Sequence, residues 1–530
     1  MLCVAPAGSG KTTTLVARIA WLIDEGAPPE TICAITFNRR AAEELRERVT
    51  AALEPFGEGI ATRVRIRTFH ALGLEILRQA GQPVAPLLDR DELLRAVRPD
   101  AASAERRRLD TLMSRFKLDL DVDPAAIEAD PEAGPVARTY AAYEAEIRRR
   151  GGLDFDDLVA RALRLLKERP PILEGWRERC QHLLVDEAQD LDRVQLRLAL
   201  LLAAPANRIF LVGDDDQSIY GWRLADVRRL LSLAEEALPE LTRVDLEVNY
   251  RCPAPVLERA VRLVEHNVER FVKVIRPGPN ATGRLLLARS AADDVDRVAA
   301  VLRSWPNDGG SQAVLARTNR ELLPVVAAAL RLEVPFRAAE LRLPIESPLV
   351  DPLLAEAEAE TSSRHPLLVL GSLRRRRRTA ETRATAQADD GDALDRDEIL
   401  AALLGWAAGS QTLADLRAAL DQGRSRLARL RTDDASLLLA TAHGTKGLEF
   451  DHVAVIGLDE GRFPSARSIA EAVEPDRALE EERRLAYVAW TRARRSLTLV
   501  YDPGAPSQFL LEAFDLRELG LATAAHARNG

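Results

Sequence analysis

Hydrophobic positions along this chain fall into short continuous runs that end in glycine or an acidic residue, each followed by a stretch with helical spacing. CAITF, beginning at Cys33, precedes AAEELRERV. HLLVDEAQD, from His182 to Asp190, precedes VQLRLALLL, and RIFLVGDDDQ and HVAVIGLDEG repeat the rhythm further along. Strand-sized apolar runs alternating with helices predict an α/β fold with parallel sheets covered on both faces. Two stretches break the rhythm. From Leu88 to Gly151 the pattern is mostly helical and charged, with a Pro- and Asp-rich middle. From Arg342 to Arg431 it carries the run Arg374 to Arg378 and then TAETRATAQADDGDALDRDE, which reads as a flexible linker with a solvated charge run. Both look like insertions into a repeated core.

Composition narrows the class. With 530 residues, 47% of them hydrophobic, the chain can form several cored domains. No uninterrupted apolar stretch is long enough to span a bilayer. The opening MLCVAPAGSGK has no basic leader ahead of an apolar run, so no signal peptide is expected. Cys3, Cys33, Cys180 and Cys252 lie far apart with no CxxC pair, which fits reduced, buried thiols in a cytoplasmic protein. A net charge of −8 argues weakly against a nucleic-acid partner, although an acidic motor can still line one groove with cations. Lysine occurs five times, at Lys11, Lys117, Lys167, Lys273 and Lys446, among 74 basic residues. Codon usage explains an arginine excess, yet Lys11 and Lys446 both sit inside glycine-flanked motifs.

Candidate chemistry begins at APAGSGKT, Ala5 to Thr12, which runs into the helical pattern TTLVARIAWLI. A glycine turn at a helix N-terminus aims backbone N–H groups at phosphates. Lys11 would then reach the β- and γ-phosphates of ATP, and the Thr12 hydroxyl would ligate Mg²⁺. The first glycine of the usual GxxxxGKT pattern is Ala5 here. The candidate ATP-binding turn comprises Ala5, Pro6, Ala7, Gly8, Ser9, Gly10, Lys11, Thr12 and Thr13. The apolar strand in HLLVDEAQD delivers two adjacent carboxylates at its end. Hydrolysis needs one carboxylate for Mg²⁺ and one to orient and deprotonate the attacking water. Asp186 suits the first role and Glu187 the second. Such a pair is common by chance, and it has meaning here through its company with the phosphate-binding turn.

Further motifs follow in order: ITFNRRAAEELRERV from Ile35, RTFHALGLEIL from Arg67, DFDDL from Asp154, VGDDDQSIYGWR from Val212, EVNYR from Glu247, ARTN from Ala316, TAHGTKGLEF from Thr441 and EEERRLAYVAWTRAR from Glu480. In this order they resemble the UvrD/PcrA/Rep group of superfamily 1 helicases, over Met1 to about Leu511 outside the two insertions. The resemblance implies an α/β fold of two RecA-like parallel-sheet domains with ATP between them. The first domain is expected over 1–87 and 152–242 and the second over 243–340 and 432–516. A helical insertion at 88–151, a reduced accessory domain with an Arg-rich linker at 341–431 and a tail at 517–530 complete the expected division. It also implies ATP-driven 3′→5′ movement along single-stranded DNA and duplex unwinding, in repair or recombination and with protein partners from those pathways.

Residue roles carry over with it. Gln217 resembles the amide that reports the γ-phosphate, Arg251 and Arg492 the two arginines that reach it from the second domain, Tyr250 the ring that stacks on adenine and Glu449 the carboxylate that holds the ribose. Arginines supplied across a cleft would stabilise transition-state charge and make hydrolysis depend on closure. Single-stranded bases present π-faces, so a sequence-tolerant track needs aromatics interleaved with cations. Tyr220, Trp222 and Arg223 fall within four residues of one another. The resemblance adds Phe37, Phe69, His70, Asn319, Thr441 and His443 to the DNA side.

Three departures stand out. The family's glutamine-bearing adenine-recognition segment has no counterpart before the turn, Thr13 stands where the family commonly has arginine, and the second insertion is much shorter than the family's. Two other readings are a translocating subunit of a nuclease complex, with the nuclease on a partner chain, and a non-catalytic DNA-binding remnant. Lys11, Asp186, Glu187, Gln217, Arg251 and Arg492 argue against the remnant.

Overall fold

The computed structural model describes residues 1–521 apart from 102, 121, 131, 280, 361–364 and 384–390. Strands β1 (Leu2–Val4), β2 (Ile32–Thr36), β3 (Arg65–Thr68), β4 (His182–Val185), β5 (Ile209–Gly213) and β6 (Arg243–Asp245) form one sheet in the order β3-β2-β4-β5-β1-β6. After a short parallel pair, β7 (Val248–Asn249) and β8 (Arg276–Pro277), a second sheet begins. It contains β9 (Arg284–Arg289), β10 (Gln312–Ala316), β11 (Phe336–Arg337), β12 (Leu437–Thr441), β13 (Phe450–Val455) and β14 (Ala493–Tyr501), in the order β11-β12-β10-β13-β14-β9. All described pairings within both sheets are parallel.

Every residue of β1, β2 and β5 is buried, which is why their sequences are continuous apolar runs with no polar alternation. Alternate residues of one strand serve opposite layers. In β2, Ala34 joins Leu15 and Ile19 of helix α1 (Lys11–Asp24), while Ile35 packs with Phe69, Leu72 and Leu198 on the other face. The second sheet is likewise enclosed, with Ala313 and Leu315 on one side and Val314 and Ala316 on the other. The fold is therefore α/β, with two RecA-like parallel-sheet domains and mainly helical insertions.

Both breaks in the rhythm are helical. The first carries Arg90–Val97, Ser103–Ser114, Pro124–Ala129 and Pro135–Arg150, cored by Leu93, Met113, Tyr140, Tyr143 and Ile147. The second, expected as a reduced accessory domain carrying a flexible linker, has helix on either side of residues 384–390. Val350–Glu360, Pro366–Arg383, Gly391–Ala407 and Leu413–Leu430 surround their own core of Leu353, Leu370, Leu403 and Leu416. The arginine run lies on one of these helices, with Arg374 paired to Asp397 at 2.7 Å and Arg377 to Glu356. Apolar residues dispersed among charges escaped a reading based on local composition. Residues 384–390 of the expected linker and 522–530 of the expected tail lie outside the described residues.

Candidate active site and nucleic-acid interface

Functional candidates of the first domain gather past the C-terminal ends of its strands, where open parallel sheets present ligand crevices. Ala5–Gly10 follow β1, Phe37 follows β2, Phe69 and His70 follow β3, Asp186 and Glu187 follow β4, and Asp214–Gln217 follow β5. In the second domain Glu449 and Arg492 lie at the opposite edge, just ahead of β13 and β14. The C-terminal edge of one sheet thus faces the N-terminal edge of the other.

The turn after β1 is gripped by residues at and just after the end of β7. Asn249 Nδ2 donates to the Ala7 carbonyl at 2.6 Å, and the Tyr250 backbone N–H donates to that of Gly8 at 2.9 Å. Gly8 has φ +68°, and a Cβ there would lie 2.6 Å from the Arg251 Cβ, so glycine is required twice over. Ser9 Oγ donates to the Pro6 carbonyl at 2.7 Å, closing the turn, and Lys11 begins α1 directly after it. Thr12 lies in the first turn of α1, and Thr13 beside it is exposed.

Asp186 is buried and Glu187 half-buried, and their acidities diverge. Burial, reinforced by the neighbouring Glu187 charge, pushes the Asp186 carboxyl up to about 7. Burial also opposes ionisation of Glu187, but Lys11, Lys446, the Gln189 amide and Arg492 outweigh it and hold Glu187 down at about 2. Glu187 adopts φ +50°, uncommon for a residue other than glycine, and its Oε2 accepts from Gln189 Nε2 at 2.6 Å. An ionised Glu187 can accept a hydrogen bond from a water and orient it, and a carboxyl raised by burial is one that a divalent cation would re-ionise. Among the described residues no group of three or more His, Cys, Asp or Glu could cage a metal. The Asp186 carboxylate and the Thr12 hydroxyl are hard oxygen donors of the kind that would hold Mg²⁺ beside nucleotide phosphates.

Across the cleft, the Arg492 guanidinium is fully buried. Its Nε donates to the Val488 carbonyl at 2.9 Å, its Nη1 to that of Leu448 at 3.0 Å and its Nη2 to Gln217 Oε1 at 3.3 Å. Burial and the adjacent Arg251 charge push its pKa down to about 9, so it remains charged at neutral pH. Arg251 Nε donates to Glu449 Oε2 at 2.6 Å, which joins the two candidates from the γ-phosphate and ribose roles into one ion pair. The Tyr250 ring is 70% exposed and free to stack.

A broad cavity of about 1010 Å³ opens beside this cleft, lined in part by Phe37, His70, Phe155, Trp222 and Arg223. Trp222 is 56% exposed, with the Arg223 guanidinium 4.7 Å from its ring. Tyr220 stacks on Phe37 at 5.0 Å and meets Trp222 edge-on. The Tyr220–Arg223 loop is tied to the second domain through the Gly221 N–H, which donates to Glu481 Oε1 at 2.9 Å. A Cβ at Gly221 would lie 2.4 Å from that carboxylate. Asn319, Thr441 and His443 lie apart from this cavity's lining, at the C-terminal ends of the paired strands β10 and β12.

Phe69 requires correction. It is 2% exposed and packs with Leu72, Ile76 and Leu198 in the first domain's core, so its ring cannot meet a base. The exposed ring at that place is Phe155 of DFDDL, 49% exposed and stacked on His70 at 4.0 Å. Lys446 is a second residue that motif reading left without a role. Its Nζ donates to Asp190 Oδ2 at 2.5 Å and to the Gln217 carbonyl at 2.6 Å, bridging the second domain to both acidic motifs of the first. Its rarity among so many arginines was the available signal.

A glycine turn and a carboxylate pair on one parallel sheet, faced by arginines from a second, have the arrangement of a P-loop protein with two RecA-like domains. Residues 1–237 match the UvrD/REP helicase N-terminal domain, and residues 407–503 match the UvrD-like helicase C-terminal domain. The chain belongs to the UvrD/PcrA/Rep-type helicase family. DNA helicase II of Escherichia coli strain K12 is 29% identical, with 94% of this chain and 82% of the relative aligned. DNA helicase II of Haemophilus influenzae is 29% identical over 96% and 84%, and the ATP-dependent DNA helicase PcrA of Leuconostoc citreum is 29% identical over 94% and 79%.

Proposed function

We propose that this chain is an ATP-dependent DNA helicase that couples hydrolysis to movement along single-stranded DNA, 3′→5′, and to duplex unwinding in repair or recombination. The observation that carries the reading is the facing of the two sheets, with Arg492 of the second domain on Gln217 of the first. Mg·ATP is the substrate. The Ala5–Gly10 turn and Lys11 hold its phosphates, while Thr12 and Asp186 bind the cation that offsets phosphate charge. Glu187 orients the attacking water and takes its proton. Gln217, Arg251 and Arg492 bear on the γ-phosphate, Tyr250 stacks on the base, and Glu449 releases Arg251 to hold the ribose.

The DNA strand runs over Phe37, His70, Phe155, Tyr220, Trp222 and Arg223, then over Asn319, Thr441 and His443 on the second domain. One helix, Pro475–Trp490, links the two sites: Glu481 near its middle holds the Tyr220–Arg223 loop, and Arg492 just beyond its end touches Gln217. Closure and reopening of the cleft would therefore shift the grips on DNA relative to one another. The test is ATP turnover with and without single-stranded DNA, together with strand displacement on duplexes carrying a 3′ or a 5′ tail. DNA-stimulated turnover with displacement from the 3′ tail is expected. Turnover indifferent to DNA would overturn the motor reading, and displacement from the 5′ tail alone would overturn the polarity.

A further inference from the structure

Asp214, Asp215 and Asp216 form an unbroken acidic run at the end of β5, and all three are fully buried. Adjacent carboxylates in that state are costly unless paired. The partners come from the other domain. The helix Ala254–Val264 packs in the second domain's core, and the chain beyond it crosses back so that Phe271 packs against the first domain's core. On this crossing strap, Lys273 Nζ lies 2.8 Å from Asp214 Oδ1, 2.5 Å from Asp215 Oδ1 and 2.9 Å from Asp216 Oδ2, with its side chain 1% exposed. Arg270 takes Asp216 bidentately at 3.0 and 2.8 Å, and the Phe271 N–H donates to Asp215 Oδ2 at 2.7 Å. The strap's start is fixed to the Pro475–Trp490 helix, since the Val268 and Glu269 N–H groups donate to the Glu480 carboxylate.

This arrangement orients the next residue. With Asp214 Oδ1 engaged by Lys273, Asp214 Oδ2 accepts from Gln217 Nε2 at 2.5 Å. A carboxylate only accepts and a guanidinium only donates, so the Gln217 amide has one satisfactory orientation, NH₂ toward Asp214 and carbonyl toward Arg492. An ammonium supplies three donors about a point, matching three carboxylates, whereas a planar guanidinium does not. Lysine here, in a chain that otherwise uses arginine nearly throughout, fits that demand.

We propose that Lys273 is a positioning residue for ATP hydrolysis: by holding the three carboxylates from the second domain, it locks the Gln217 amide against Arg492 and makes the strap part of the catalytic cleft. The inference rests on the ATPase reading above. Its test compares Lys273→Met, Lys273→Arg, Gln217→Ala and the Lys273→Arg, Gln217→Ala double variant. The measurements are kcat and KM for ATP with saturating oligo(dT), thermal melting, and hydrogen exchange of residues 213–218. Lys273→Met is expected to melt earlier and to lose kcat by about 10- to 100-fold, the usual cost of removing an outer supporting partner, with little change in KM. Lys273→Arg should regain the melting temperature by restoring charge, but not kcat, and should exchange faster at 213–218. Adding it to Gln217→Ala should cost nothing further. Full recovery of kcat in Lys273→Arg, or additive losses in the double variant, would overturn the proposal and leave charge balance as the residue's role. A parent chain without ATPase activity would defeat the functional reading instead. Exchange at 213–218 in Lys273→Arg would then decide the positioning role alone, with unchanged exchange overturning it.

Discussion

Arg492 Nη2 donates to Gln217 Oε1 at 3.3 Å, although the two residues stand 275 positions apart and belong to different sheets. The Arg492 backbone N–H donates to the Ala489 carbonyl and its own carbonyl accepts from Phe450, so its backbone is held within its own domain. Arg492→Ala should reduce DNA-stimulated turnover by about 10³-fold or more, the scale of arginine fingers, while nucleotide affinity falls much less. Steady-state ATPase assays beside equilibrium binding of a fluorescent ATP analogue check this. Retained stimulated turnover would place Arg492 outside the reaction.

Glu187 is held ionised at about 2 by cations, whereas burial raises its neighbour Asp186 to about 7. The two carboxylates therefore have separable roles. Glu187→Gln should still bind Mg·ATP but turn over slowly, because shape is kept and the proton acceptor is lost. Single-turnover kinetics with pre-bound nucleotide isolate the step. Simultaneous loss of binding would show that Glu187 is structural.

Two aromatic substitutions should fail in opposite ways. Trp222→Ala removes an exposed ring from the cavity wall and should weaken single-strand binding by about 1–3 kcal/mol, with melting unchanged. Phe69→Ala empties a core position and should cost about 3–5 kcal/mol of stability. DNA titrations and denaturant melts on both variants separate the cases, and a swap of the two phenotypes would reverse both assignments.

Local patterns carried much of this in the sequence. The glycine turn, the strand-terminal carboxylates and the order of motifs depend on residues close together, so the turn, the carboxylate pair and the two-sheet fold were legible. Phe69 and Phe155 were not distinguishable in that way, because each lies in a short motif and only packing decides which ring is covered. The core shared by the helices at residues 350–430 was similarly hidden, since its apolar positions come from four separate segments. Lys273 and Lys446 act on partners tens to hundreds of positions away, at Asp214 and at Asp190. Their rarity among arginines was visible, but the carboxylates they serve were not.

His443 and His70 carry a pH prediction. Burial, with Arg317 and Lys446 nearby, pushes His443 down to about 4. Burial likewise lowers His70 to about 4, with Arg223 adding to it against the opposing pull of Asp156 and Asp154. Both rings are therefore neutral from pH 6 to 8 in the free protein, and on the proposed DNA track each would present an aromatic face and a neutral hydrogen-bonding edge. A histidine gaining charge in this range would tighten binding as the pH fell, by adding a cation against the phosphates. The expected outcome is single-strand affinity nearly constant from pH 8 to 6 at fixed ionic strength, with the same profile in His443→Gln. The sign for stability is separate. A histidine depressed below the unfolded value of about 6.5 contributes stability that is present above that value and is lost as the pH falls toward 4. Acid melts of His443→Gln should accordingly lose less stability between those limits than the parent does. Affinity that climbs as the pH drops from 8 to 6 in the parent but not in His443→Gln would show that the ring is charged on DNA, and would overturn its assignment as a neutral contact.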